Sequence, residues 1–196
     1  MKTVFPTLIA LVAAIVLSST AQADTWKCDA VHSNVTFNVN HLVISEVQGS
    51  FKVFDGTMTT SKSDMSDAVI SFSVNTASIN TDNEMRDGHL RSDDFFNAEK
   101  YPAMTFKSTG MTKTGANTYK LMGNLTIRDV TKPVTFDVRF GGEAKNGMGK
   151  QARGFVAETT IDRMDYNLKW NKLTEAGGAM VGKDVRIRCN MEMMKN

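Results

Sequence analysis

Side chains able to do chemistry are few in this chain and far apart. The three histidines, His32, His41 and His89, and the two cysteines, Cys28 and Cys189, are scattered along its length. A metal site written into local sequence would show a His-x-x-x-His or Cys-x-x-Cys pair, and neither occurs, so ligation would need distant residues to converge. Ser33 follows His32, but adjacency in sequence does not turn a nucleophile toward its base. There is no Gly-x-Ser-x-Gly elbow and no glycine-rich phosphate loop. The one dense set of charges surrounds His89: Arg86, Asp87, Arg91, Asp93 and Asp94. Such a set could lend an acid or base to an apolar substrate, or hold a loop through charge-assisted hydrogen bonds while Phe95 and Phe96 cover apolar surface. These residues single out no catalytic group and no metal centre.

What the sequence does repeat is alternation. Val185, Ile187, Cys189, Met191 and Met193 fall on one parity, and Arg186, Arg188, Asn190 and Glu192 on the other. A strand points successive side chains to opposite faces, so this reads as one apolar and one wetted face. Val35, Phe37, Val39 and His41 repeat the pattern, as do Val134, Phe136, Val138 and Phe140. The segments 25–28, 34–40, 49–59, 68–78, 103–109, 118–128, 134–141, 154–162 and 182–193 are expected strands, which makes the chain all-β. Closing such a sheet into a barrel removes its edges and encloses an interior lined by the apolar parity. Nine segments exceed an eight-stranded barrel by one, so the first either merges with the second through a bend at 29–33 or serves to close the seam. Residues 83–90 are expected to form a short helix capped by Asp82, and 41–47 a second.

The N-terminus reads as an address. Lys2 precedes an uncharged apolar run over residues 8–17, and Ala21-Gln22-Ala23 has the small residues of a cleavage site, so residues 1–23 are expected to be a removed signal peptide. The run is too short to span a bilayer comfortably. Export to the periplasm is expected, with secretion as the alternative. Removing Lys2 from the 23 basic residues leaves 22 against 21 acidic ones, a net +1 that predicts no nucleic-acid partner. An oxidising destination allows a disulfide between Cys28 and Cys189, which both fall on apolar parities near the two ends of the mature chain, on first and last strands that a closed barrel makes neighbours. Buried free thiols are the alternative.

Four segments, taken together and in order, resemble the YceI-like family of exported lipid-binding proteins. They are Asp29-Ala-Val-His-Ser-Asn-Val-Thr-Phe37 with His41-Leu42 and Gly49-Ser-Phe51; Arg86-Asp-Gly-His-Leu-Arg-Ser-Asp-Asp-Phe-Phe96; Lys100-Tyr-Pro-Ala-Met-Thr-Phe106; and Gly123-Asn-Leu-Thr-Ile-Arg-Asp-Val-Thr-Lys-Pro-Val134. The resemblance implies an eight-stranded antiparallel, lipocalin-like barrel whose lumen binds a polyisoprenoid chain, such as that of an isoprenoid quinone. It implies no catalytic residues and no required cofactor. The chain departs from the pattern at Asp129, where glycine is usual, and its two cysteines are not a family requirement. On this reading Phe37, Val39, His41, Phe51, Phe72, Phe106, Leu125, Phe136, Phe155, Trp170 and Ile187 are the expected ligand-binding residues, with His41 at the rim. The expected partner is a long-chain apolar lipid, with transient membrane or membrane-protein contact for its exchange. Pattern alone leaves two alternatives open: an enzyme acting on an apolar substrate inside the barrel, and a barrel filled by its own side chains.

Overall fold

The computed structural model describes residues 22–173 and 177–196, so the signal-peptide expectation lies almost wholly outside the described residues. The strands are β1 (Asp24–Cys28), β2 (Asn34–His41), β3 (Ser45–Phe51), β4 (Phe54–Thr60), β5 (Val69–Asn75), β6 (Ile79–Asn80), β7 (Ala103–Lys113), β8 (Thr118–Ile127), β9 (Val130–Lys145), β10 (Gln151–Asp162) and β11 (Val181–Lys195). One helix, α1 (Glu84–Arg91), follows β6. Neighbouring strands are antiparallel throughout, and β1-β4-β5-β7-β8-β9-β10-β11 returns to β1, closing an eight-stranded lipocalin-like barrel.

Three staves of this barrel are broken in two. Along one edge of β11, residues 193–195 pair with β1 and residues 181–190 pair with β2, so the bend at 29–33 joins two halves of a single stave. The expected strand 49–59 divides likewise into β3 and β4 at Lys52-Val53. There the ladder changes neighbours: Lys52 donates to the Ser78 carbonyl, and the Val53 carbonyl accepts from Asn75. The expected strand 68–78 becomes β5, a 3-10 turn at Thr76–Ser78, and β6. Because β6 is only two residues long, one end of the barrel lacks pairing between β6 and β7. Helix α1 and residues 92–102 occupy that gap, tied to it by Thr76, whose amide donates to the Pro102 carbonyl and whose hydroxyl donates to that of Tyr101.

Two local expectations are corrected. Residues 41–47 form no helix but a tight hairpin, with residues 42–44 turning the chain between β2 and β3. The cap of α1 is Asn83, whose side-chain oxygen accepts the Arg86 amide at 3.0 Å, while Asp82 takes positive φ one residue earlier. In the turn before β9 the left-handed residue is Arg128, and Asp129 instead accepts from the Asn167 side chain at 3.1 Å.

The disulfide expectation is corrected too. The seam forms, but its register sets Cys28 opposite Met193, four residues beyond Cys189, and both thiols are free. Four residues of strand are about 13 Å, whereas a bridge needs α-carbons within roughly 7 Å.

Candidate functional site

Alternation delivers one face of every stave to the interior, and the interior is not filled. An outer chamber with about 1010 Å³ of atom-free space, mouth included, lies toward α1. An inner chamber of about 740 Å³ by the same measure lies toward the opposite end. Phe72, Phe106, Phe136 and Cys189 belong to both walls and form the neck between them. Among the described residues, the outer wall presents no polar surface. The inner wall is rich in sulfur, from Met58, Met111, Cys189, Met191 and Met193, whose flexible, polarisable side chains adapt to irregular contents.

Glycines keep the rings out of the way. Phe72 pairs across the sheet with Gly56, and a Cβ on Gly56 would stand 2.2 Å from its ring. Phe106 lies on Gly123 and Phe37 on Gly49, each ring 2.3 Å from where a Cβ would be. A ring can lie this close to the wall only where the facing residue has no side chain, so these three pairs depend on glycine.

The barrel ends differ. Beyond the inner chamber Trp26 is 1% exposed, with the Arg153 guanidinium over its ring at 4.1 Å. The other end is roofed by Leu90, Phe95 and Phe96 from the helical segment and Leu168 from the β10–β11 connection, all lining the outer chamber. Arg163, 4% exposed, fastens this connection. Its Nε donates to the Gly182 carbonyl at 2.8 Å, Nη1 to those of Leu168 and Trp170, and Nη2 to that of Val181 at 3.0 Å. Burial pulls its pKa below the ordinary guanidinium value, only partly offset by Asp162. Arg128 ties the two roofing segments together, donating through Nη1 to the carbonyls of Asp93, Phe95 and Asn167.

Nine of the eleven expected ligand-binding residues line the chambers: Phe37, Val39, Phe51, Phe72, Phe106, Leu125, Phe136, Phe155 and Ile187. His41 and Trp170 do not. His41 ends β2 beside the hairpin, paired with Val181, and Trp170 packs against His89 and Phe95 at 5.2 and 5.4 Å between ring centroids. His89 also meets Asp94 at 2.8 Å, outside both chambers. The charges around it are spent on structure: Asp87 accepts the Thr81 amide and hydroxyl, and Arg86 holds the same threonine.

Phe95 and Phe96 cover apolar surface as expected, while Arg163, Leu90 and Leu168 were not foreseen as lining groups. The pair Phe95-Phe96 was the available signal for the roof; nothing in the local sequence flagged a buried arginine. Asp29, His32 and Glu192 also come together, with ligand atoms all within 4.8 Å. Asp29 already holds His32 at 2.8 Å and the Val31 amide at 3.0 Å, which lowers its own pKa and raises that of His32. Burial pushes the Cys189 thiol up to about 12 and raises that of Cys28.

Residues 26–193 match the YceI-like domain family. The chain belongs to that family. A UPF0312 protein of Staphylococcus aureus is 39% identical over 165 residues, covering 84% of this chain and 94% of its own. Among solved structures, BcnA of Burkholderia cenocepacia is 21% identical with a TM-score of 0.74, covering 84% of this chain and 98% of its own. A polyisoprenoid binding domain of Saccharophagus degradans, implicated in plant cell wall breakdown, is 15% identical with a TM-score of 0.66, over 87% and 98%. At those two identities the likeness is one of fold.

Proposed function

We propose that this chain is an exported, periplasmic carrier or store for a polyisoprenoid lipid or isoprenoid quinone, which it holds in its lumen without chemical change. The observation that carries the reading is the pair of apolar chambers kept open by phenylalanines laid on glycines. A core meant to be filled would turn those rings inward. An apolar tube of this kind recognises hydrocarbon by length and shape. Each methylene taken from water contributes about 0.8 kcal/mol, so a few isoprene units suffice for tight binding with no polar anchor. The neighbour described as a polyisoprenoid binding domain supports the same ligand class.

In this reading Phe37, Val39, Phe51, Leu125 and Ile187 bear on the outer part of the ligand, Phe72, Phe106 and Phe136 on the part crossing the neck, and Phe155 on the inner end. No cofactor and no nucleic acid is required. Lys2, the apolar run and Ala21-Gln22-Ala23 support export. The deciding experiment is native mass spectrometry of protein purified from its own host, followed by lipid extraction. One prenyl lipid per chain, unaltered on incubation, is the expected result. Turnover of that lipid, or an empty barrel that takes up no prenyl chain, would overturn the proposal.

A further inference from the structure

The hairpin joining β2 to β3 is closed by the Ile44 amide, which donates to the His41 carbonyl at 3.2 Å. Its two central residues, Leu42 and Val43, both have positive φ, at 52° and 64°. A turn of this hand calls for Asn-Gly, because glycine has no Cβ to clash and asparagine tolerates the left-handed region. A β-branched valine there is a true outlier. Local stability therefore does not explain these residues. Val43 is 75% exposed and Ile44 84%.

A third apolar side chain stands beside them. Leu42 donates to the Met180 carbonyl at 2.9 Å, and Met180 donates to that of Lys172 at 2.8 Å, which sets residues 172–173 next to the hairpin tip. Leu173 is 67% exposed. Just below the tip Val39 and Val181 line the outer chamber, so the apolar projection rises from the rim of the lumen.

We propose that this tip docks the protein on a lipid bilayer, with Val43, Ile44 and Leu173 inserted among the acyl chains beside the mouth of the lumen. Three aliphatic side chains offer roughly 300 Å², well short of the about 800 Å² per partner that a specific protein interface buries. A bilayer asks for no matching shape. Among the described residues 40–45, 171–173 and 177–182 there is no carboxylate, and Lys172 and His41 are the only side chains able to carry charge. Both suit an anionic lipid surface. The purpose of the contact rests on the carrier reading, since a protein that exchanges lipid with a membrane has to touch one; the contact itself is testable on protein with no lipid bound.

The test is co-flotation with vesicles of phosphatidylethanolamine and phosphatidylglycerol, comparing the native protein with the double variant Leu42→Asn/Val43→Gly. The variant gives the turn the residues it calls for, so its denaturation midpoint is expected to equal or exceed the native one. Its vesicle-bound fraction is expected to fall at least about tenfold, the loss that follows from removing about one inserted aliphatic side chain. Equal flotation of the two proteins, or no flotation of the native protein at low ionic strength, overturns the proposal. So does a concentration-dependent dimer of the native protein that the variant lacks, which would make a second copy the occupant. Lipid extracted from the same preparations keeps the two readings apart: protein that floats but never carries a prenyl lipid sinks the carrier reading and leaves the docking surface standing.

Discussion

Replacing Gly56 with alanine tests whether the neck governs ligand length. The new Cβ would stand 2.2 Å from the Phe72 ring where ordinary contact begins near 3.4 Å, so the ring has to withdraw by at least 1.2 Å. All three of the nearest atoms belong to that ring, so no backbone has to yield. Lifted off the wall, Phe72 moves into the neck it already borders. The overpacking is expected to cost about 1–3 kcal/mol of stability, which a barrel of this size survives. The effect on binding is larger and depends on length. At about 0.3 kcal/mol per carbon, the realistic yield for a sizeable ligand, each five-carbon isoprene unit shut out of the inner chamber forfeits about 1.5 kcal/mol, roughly twelvefold; at full transfer the loss approaches 4 kcal/mol. The assay is competition between a short and a long prenyl alcohol for the purified barrel. Gly56→Ala should weaken the long one at least about tenfold and leave untouched a short one that ends in the outer chamber. Adding Phe72→Leu should restore the long one. A well-folded Gly56→Ala protein with unchanged length preference would refute the argument that the two chambers act as one tube.

Arg163→Met removes a buried cation that holds four carbonyls, and should cost at least about 3 kcal/mol in chemical denaturation, since hydrogen bonds to charged groups are each worth about 1.5–3 kcal/mol; an unchanged midpoint would mean that the β10–β11 connection holds itself. Alkylation at pH 8 should leave both cysteines nearly unmodified in the native barrel, because burial raises both thiols, with Cys189 at about 12, and should add two groups per chain in unreduced denaturant. No addition until a reductant is supplied would establish the disulfide that the register excludes. Asp67 is held below its ordinary pKa by hydrogen bonds from Ser61 and then Thr60. Because the folded value is the lower one, its stabilisation is present above about pH 4 and lost as the pH falls through the folded value. Asp67→Ala should therefore flatten the acid limb of the melting-temperature profile and leave its relative shape above pH 5 unchanged.

Alternation made most of the lumen legible in advance. Every inward residue of β11 from Val185 to Met193 lines a chamber, because a regular strand hands one parity to the interior with no further information required. Legibility stopped where regularity did. The break at Lys52-Val53 depends on Ser78 and Asn75, which are distant in sequence, and no alternation announces it. The segment 41–47 misled because Leu42-Val43 carries no turn chemistry. Cys28 and Cys189 were rightly assigned to one seam, but parity fixes only the face of a strand, while a disulfide depends on register. Trp170 was expected in the lumen, yet its place was decided by His89 and Phe95. Arg163 was the hardest to foresee, since its partners are all backbone carbonyls, which a sequence does not distinguish.

The last stave has a kinetic meaning. β11 pairs with β10 along one edge and with both halves of the first stave along the other, so no closed wall exists until β11 has been delivered. A barrel whose closure joins residue 26 to residue 195 is among the slower topologies to fold, because the longest loop must close before its contacts reward it. Until then the inward faces of the seven staves built from β1 to β10 lie open along one slot. Closure and misassembly thus compete within the same interval, and on the proposed carrier function a lipid bound before β11 arrives would act as a folding template.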